Sequence, residues 1–166
     1  MNTCKILALL GLLALAGTGC ATTLSGQVVD ARTGQPIPGA VVLGVWTKAG
    51  GLPGLPHTVR VAVKEAEADA HGRFVLERPA PLSADEESLT VYKFGYLAWN
   101  NLFLFPTYER RVDTSVPAQV RLERFPPGAS HSNHIGFIST ATAGEGLSSL
   151  VPRFWNAIQE ELKRRD

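Results

Sequence analysis

The chain of 166 residues carries 16 Lys and Arg against 15 Asp and Glu, is 45% hydrophobic, and has two cysteines. That balance leaves no basic stripe for a phosphate backbone, so it excludes a nucleic-acid partner by the ordinary electrostatic route. It supplies no surplus charge to steer an anionic substrate, and two cysteines cannot build a disulfide scaffold.

Met1 to Lys5 is a short start with one positive charge, and Ile6 to Ala16 is an apolar run. The run has the length of a secretory h-region and is too short to cross a bilayer as a helix. Gly17, Thr18 and Gly19 then lead to Cys20, and small residues directly before a cysteine resemble the lipobox of bacterial lipoproteins. That resemblance implies a diacylglycerol on the Cys20 thiol, cleavage of residues 1–19, and acylation of the new amino terminus. Gly17 stands where the lipobox prefers an aliphatic residue, and the alternative is an ordinary secretory cleavage near Gly19. Cys4 lies within the leader, so the mature chain would hold no second thiol to pair with Cys20, which favours lipidation. Two or three acyl chains, at about 0.8 kcal/mol per buried methylene, would give a stable membrane attachment. Ala21 in place of Asp resembles the outer-membrane default of a Gram-negative envelope.

After a tether over residues 20–23, the sequence reads as strand after strand with turn signals between. Leu24, Gly26 and Val28 alternate with Ser25, Gln27 and Val29, and Ala40 to Trp46 is a continuous apolar run expected to be a buried strand. Thr33-Gly34-Gln35-Pro36 joins them, with Gly34 expected at positive φ. Val59, Val61 and Val63 share one face of a third strand. Asp69-Ala70-His71-Gly72 turns into Arg73 to Glu77, where Phe74 and Leu76 point inward. Leu89 to Phe94, Leu102 to Phe105, and the alternation around Val120 and Leu122 complete about seven strands, the pattern of an antiparallel sandwich.

Gly26-x-Val28-x-Asp30-x-x-Thr33-Gly34-x-Pro36-Ile37-x-Gly39-Ala40-x-Val42, then Ala68-Asp69-x-x-Gly72-x-Phe74, then Lys93-Phe94-Gly95-Tyr96 resemble the three signatures of the carboxypeptidase regulatory-like domain. The resemblance implies a mainly β fold, a seven-stranded antiparallel Greek-key sandwich of transthyretin or prealbumin type, over residues 24–125. It implies little about activity, since the module occurs as a companion or accessory in many exported bacterial proteins and fold does not settle function. The stretch Gly44 to Thr58 is longer than the plain module needs and resembles a bacterial subgroup of small exported proteins.

No constellation spells an active site. The zinc-binding His-x-x-Glu of the peptidase partner is absent, and so is the Tyr-Arg-Gly-Ser terminus of the transthyretin-shaped hydroxyisourate hydrolases. His131 and His134 could share a metal only on a helix, and the Ser, Asn and Gly around them read as a loop; no metal or cofactor is expected. Asp30 and Asp69 are best explained as Asx-type caps of their own turns. Among the aromatics Trp46, Tyr92, Trp99 and Tyr108, core packing is the simpler reading. The candidate ligand surface is Trp99, Asn100, Asn101 and Tyr108, with the two amides expected on an exposed loop.

Residues 126–146, rich in Ser, Thr, Ala and Gly, read as a flexible connector, and residues 147–166 as the one amphipathic helix. Leu147, Leu150, Val151, Phe154, Trp155, Ile158 and Leu162 form its apolar stripe. Ser148 or Ser149 is its expected cap, and Glu160 with Arg164 and Glu161 with Arg165 its i,i+4 pairs. The sequence therefore predicts a non-enzymatic envelope lipoprotein whose partners are the membrane, through its anchor, and an envelope protein or glycan. The alternatives are a glycan-binding module using the exposed aromatics and a small transthyretin-like hydrolase.

Overall fold

The computed structural model describes residues 22–52, 54–79 and 83–165; the leader and Cys20 lie outside the described residues. Two sheets and two helices make up a mainly β fold. Strands β1 (Thr23–Asp30), β4 (Arg73–Glu77) and β7 (Gln119–Leu122) form one sheet in the order β4-β1-β7. Strands β2 (Val41–Leu52), β3 (Leu55–Glu67), β5 (Glu86–Tyr92) and the two-residue β6 (Trp99–Asn100) form the other in the order β3-β2-β5-β6.

The inner core lies where Val28, Phe74, Leu76, Val120 and Leu122 of the first sheet meet Val42, Trp46, Leu89 and Val91 of the second. Strand β1 ends in three consecutive buried residues, Val28 to Asp30, whereas the alternation in β4 buries one face of that strand. The uninterrupted run of β2 buries both, because Val41, Leu43 and Val45 point away from that core into a second one built with the helices. Gly44 lies between them on the inner face, where the Trp46 indole crosses the strand; a Cβ there would meet Trp46 Cη2 at 2.6 Å and Leu76 Cδ2 at 2.8 Å. The expected positive φ at Gly34 is present, at 71°.

Several expectations are corrected. β7 runs parallel to β1, so the first sheet is mixed; the long connection after β6 gives the chain room to return in the parallel sense. Leu102 to Phe105 is not a strand, because the Asn100 carboxamide oxygen accepts the N–H groups of Leu102 (2.8 Å) and Phe103 (2.9 Å) and turns the chain out of the sheet. The stretch Gly44 to Thr58, longer than the plain module needs, lengthens β2 and β3 into a paired hairpin. A bulge between Trp46 and Thr47 breaks the alternation there and leaves Val59 and Val61 exposed.

The expected connector contains α1 (His131–Ala141), capped by Ser130, whose Oγ accepts from Asn133 N at 3.2 Å. Helix α2 spans Pro152–Leu162, starting later than the sequence suggests, and a short 3-10 turn precedes it. Its cap comes from neither Ser148 nor Ser149. The Glu65 carboxylate reaches over from β3 and accepts the N–H groups of Arg153 (3.1 Å) and Phe154 (3.0 Å), placing negative charge at the positive end of the helix. Phe154 and Ile158 are wholly buried against β2, each contributing about 1.5–3 kcal/mol by removal of apolar surface from water. Leu150, ahead of the helix, stays exposed.

Candidate functional site

Chemistry-bearing side chains gather in three places. The first lies under the helices. Glu161 does not pair with Arg165; it turns inward at 2% exposure and accepts from Tyr92 Oη at 2.7 Å. His134 Nδ1 lies 2.6 Å and His131 Nδ1 3.0 Å from the other carboxylate oxygen. The Ala98 N–H donates to His134 Nε2 at 2.8 Å, so that nitrogen is an acceptor and the proton sits on Nδ1, toward Glu161. Burial alone would raise the Glu161 pKa, but the hydrogen bonds from His134, Tyr92 and His131 outweigh it and hold the carboxyl below its ordinary value. Burial first, then the bond to Glu161, pushes Tyr92 far up. The two imidazoles are on a helix after all, yet both point at one carboxylate, and His134 has no lone pair left for a metal or a substrate proton. This cluster joins α1, α2 and β5.

The second group surrounds the first turn. Asp30 Oδ1 accepts from Arg32 N and Thr33 N, both at 3.0 Å, which is the expected Asx cap. Its other oxygen meets Tyr96 Oη at 3.1 Å and Arg124 at 2.9 Å. The Thr33 N–H is the main cause of a pKa held down at about 2; burial opposes it, and Arg32 N–H and Tyr96 add to it. Asp69 caps its turn in the same way through His71 N and Arg73 N, both at 2.8 Å.

The third place is the segment after β5, where the sequence put its ligand surface. The structure divides those four residues. Asn100 is wholly buried and Asn101 nearly so, contrary to the exposed loop expected, because a short strand pair with β5 draws them inside. Asn100 Nδ2 reaches Ser88 Oγ and Thr90 Oγ1, both at 2.9 Å, and Asn101 Oδ1 accepts from Leu89 N at 2.7 Å. They are the frame of the site and not its surface. Tyr108 is exposed, with its ring packed edge-on against Phe137 and its hydroxyl donating to Asn133 O at 3.3 Å. Trp99 lines one open cleft, and Asn101 borders another.

The Trp99 cleft, of about 130 Å3, is walled by Trp99, Phe103, Leu104 and Phe105, with Arg111, Arg121 and Glu123 at its rim. Arg111 is locked in place: its N–H donates to Leu102 O and its Nε to Asn100 O, both at 2.8 Å, and its guanidinium lies 5.5 Å from the Trp99 ring centre. Burial draws its pKa below the ordinary value, though arginine remains charged in a protein. Among the described residues no carboxylate pairs with Arg111 or Arg121, and Arg121 meets only Gln119 Oε1 at 2.9 Å. On the other side of Asn101 a larger cleft of about 510 Å3 is lined by charges that satisfy one another: Arg78 with Glu87 at 2.9 Å, and Arg110 with Glu86. The smaller cleft is the better candidate because, among the described residues, no carboxylate neutralises its cations.

The sequence reading missed Arg111, Phe103 and Phe105 as site residues; four aromatics from Phe94 to Phe103, each under an arginine, were the available signal. It also missed the Glu161 cluster. No family model matches the chain, and no curated protein and no solved structure is significantly similar to it.

Proposed function

We propose that this chain is a non-enzymatic lipoprotein of a bacterial envelope, acylated at Cys20, that displays a seven-stranded Greek-key sandwich of carboxypeptidase regulatory-like type as an interaction module. The lipobox-like leader and the three sequence signatures support the address and the fold family. One observation carries the function: the Trp99 cleft presents two arginines that no carboxylate pairs among the described residues, and one of them, Arg111, is held ready by ring packing and a bond to the backbone. Preorganised cations of this kind recognise an anionic group at small entropic cost.

The other two readings draw less support. The hydrolase reading rests on His131 and His134, and both turn Nδ1 onto Glu161, with the second nitrogen of His134 also engaged. A sugar-stacking platform needs an open ring face, and Trp99 packs against the inner core and carries Arg111 over its ring. Capture from detergent-solubilised envelope tests the proposal. The wild-type protein retains a reproducible partner, and an Arg111→Gln/Arg121→Gln variant loses it. Recovery of no partner by either would remove the proposal's support.

A further inference from the structure

Building on the interaction-module reading, we infer that the Trp99 cleft binds the free C-terminal residue of a protein partner, taking its apolar side chain between the rings and its α-carboxylate on Arg111 and Arg121.

Size sets the first limit. Ligand sites for extended small molecules run to about 300 Å3 or more, whereas a cavity of about 150 Å3 holds one benzene. At about 130 Å3 this cleft is a socket for a single apolar side chain. Trp99, Phe103, Leu104 and Phe105 form its apolar side, which a bare inorganic anion held by the arginines would leave unfilled.

Charge sets the second limit. A guanidinium fork matches a carboxylate in plane and spacing. Arg111 spends its Nε on Asn100 O, which leaves its two terminal nitrogens free of protein partners among the described residues. Arg121, reaching in from β7, adds the second cation. Glu123 lies on the same rim, unpaired with either arginine. A long fatty acid would overrun the socket and offer Glu123 no donor. The last residue of a chain carries its own amide N–H beside its carboxylate, so it supplies apolar body, anion and donor together. Capture of a C-terminal carboxylate is an established mode of peptide recognition.

The test titrates the folded protein with a fluorescein-labelled peptide Gly-Ser-Ala-Phe as the free acid, and with its C-terminal amide. The acid is expected to bind saturably below about 1 mM, and the amide at least about tenfold more weakly. Arg121→Gln, at an exposed position, should erase that preference without moving the thermal melt, and Arg111→Gln should erase it too. Equal binding of acid and amide, or no saturation of the acid, overturns the inference. So does competition by phenylacetate at the same concentration as the peptide, since a small free acid would then be the ligand. An envelope partner still captured by the double arginine variant sinks this inference and leaves the interaction role standing.

Discussion

Replacing Glu161 with Leu removes one carboxylate and leaves three donors facing it: Tyr92 Oη, His134 Nδ1 and His131 Nδ1. Leucine fills most of the volume, so the cost falls on the orphaned polar groups rather than on a cavity. Tyr92 and His134 are fully buried and cannot turn to water. Breaking a buried charged cluster from one side costs about 3–5 kcal/mol, a large share of the roughly 5–15 kcal/mol that holds a domain folded. At about 2–4 °C per kcal/mol the melting point should fall by roughly 6–20 °C. Glu161→Gln keeps an acceptor for the histidines and loses only charge assistance, about 1–3 kcal/mol. Urea unfolding read by tryptophan fluorescence measures both. A cycle with Tyr92→Phe should show a coupling of about 1 kcal/mol or more. If Glu161→Leu changes stability by less than about 1 kcal/mol, the carboxylate does not join the helices to the sheet, and this reasoning is refuted.

Asn100→Ala should cost roughly 2–6 kcal/mol, because the Leu102 and Phe103 N–H groups lose their acceptor, and it should disorder the Trp99 cleft; amide hydrogen exchange at residues 102–103 reports the loss. Gly44→Ala should destabilise by about 1–3 kcal/mol, since the methyl drives into Trp46 and Leu76, and a red shift of the Trp46 emission would accompany it. Asp30 has a folded pKa of about 2 against an ordinary 3.8, so its stabilising contribution is complete above 3.8 and drains away as pH falls toward 2. Urea midpoints should therefore drop across that window in the wild type, and an Asp30→Asn variant should show a smaller drop.

Local pattern carried the sheets well. Alternation in β4 and the unbroken apolar run of β2 follow directly from which faces are covered, and Gly34 and the two Asx turns follow from residues that cap their own backbone. What the pattern could not carry was distance in sequence. Helix α1 was hidden by Ser, Asn, Gly and Thr, poor helix formers, although His134, Ile135, Phe137, Ile138 and Ala141 have helical spacing; tertiary burial of that stripe overrides weak propensity. Glu161 looked like a surface partner of Arg165, and only the packing of α2 against β2 and α1 turns it toward Tyr92. Asn100 and Asn101 looked solvated for the same reason: amides signal loops in isolation, and here they satisfy buried backbone groups across 10 or more residues.

The central claim, that the Trp99 cleft is where this protein meets its partner, is tested most directly by photo-crosslinking in the intact envelope. A photoreactive residue is placed at Leu104, in the cleft wall, or at Val75, exposed on the opposite sheet. The account predicts a discrete adduct from position 104 that maps to the C-terminal residue of another protein, and none from position 75. Adducts from position 75 alone, or from neither position, would contradict it.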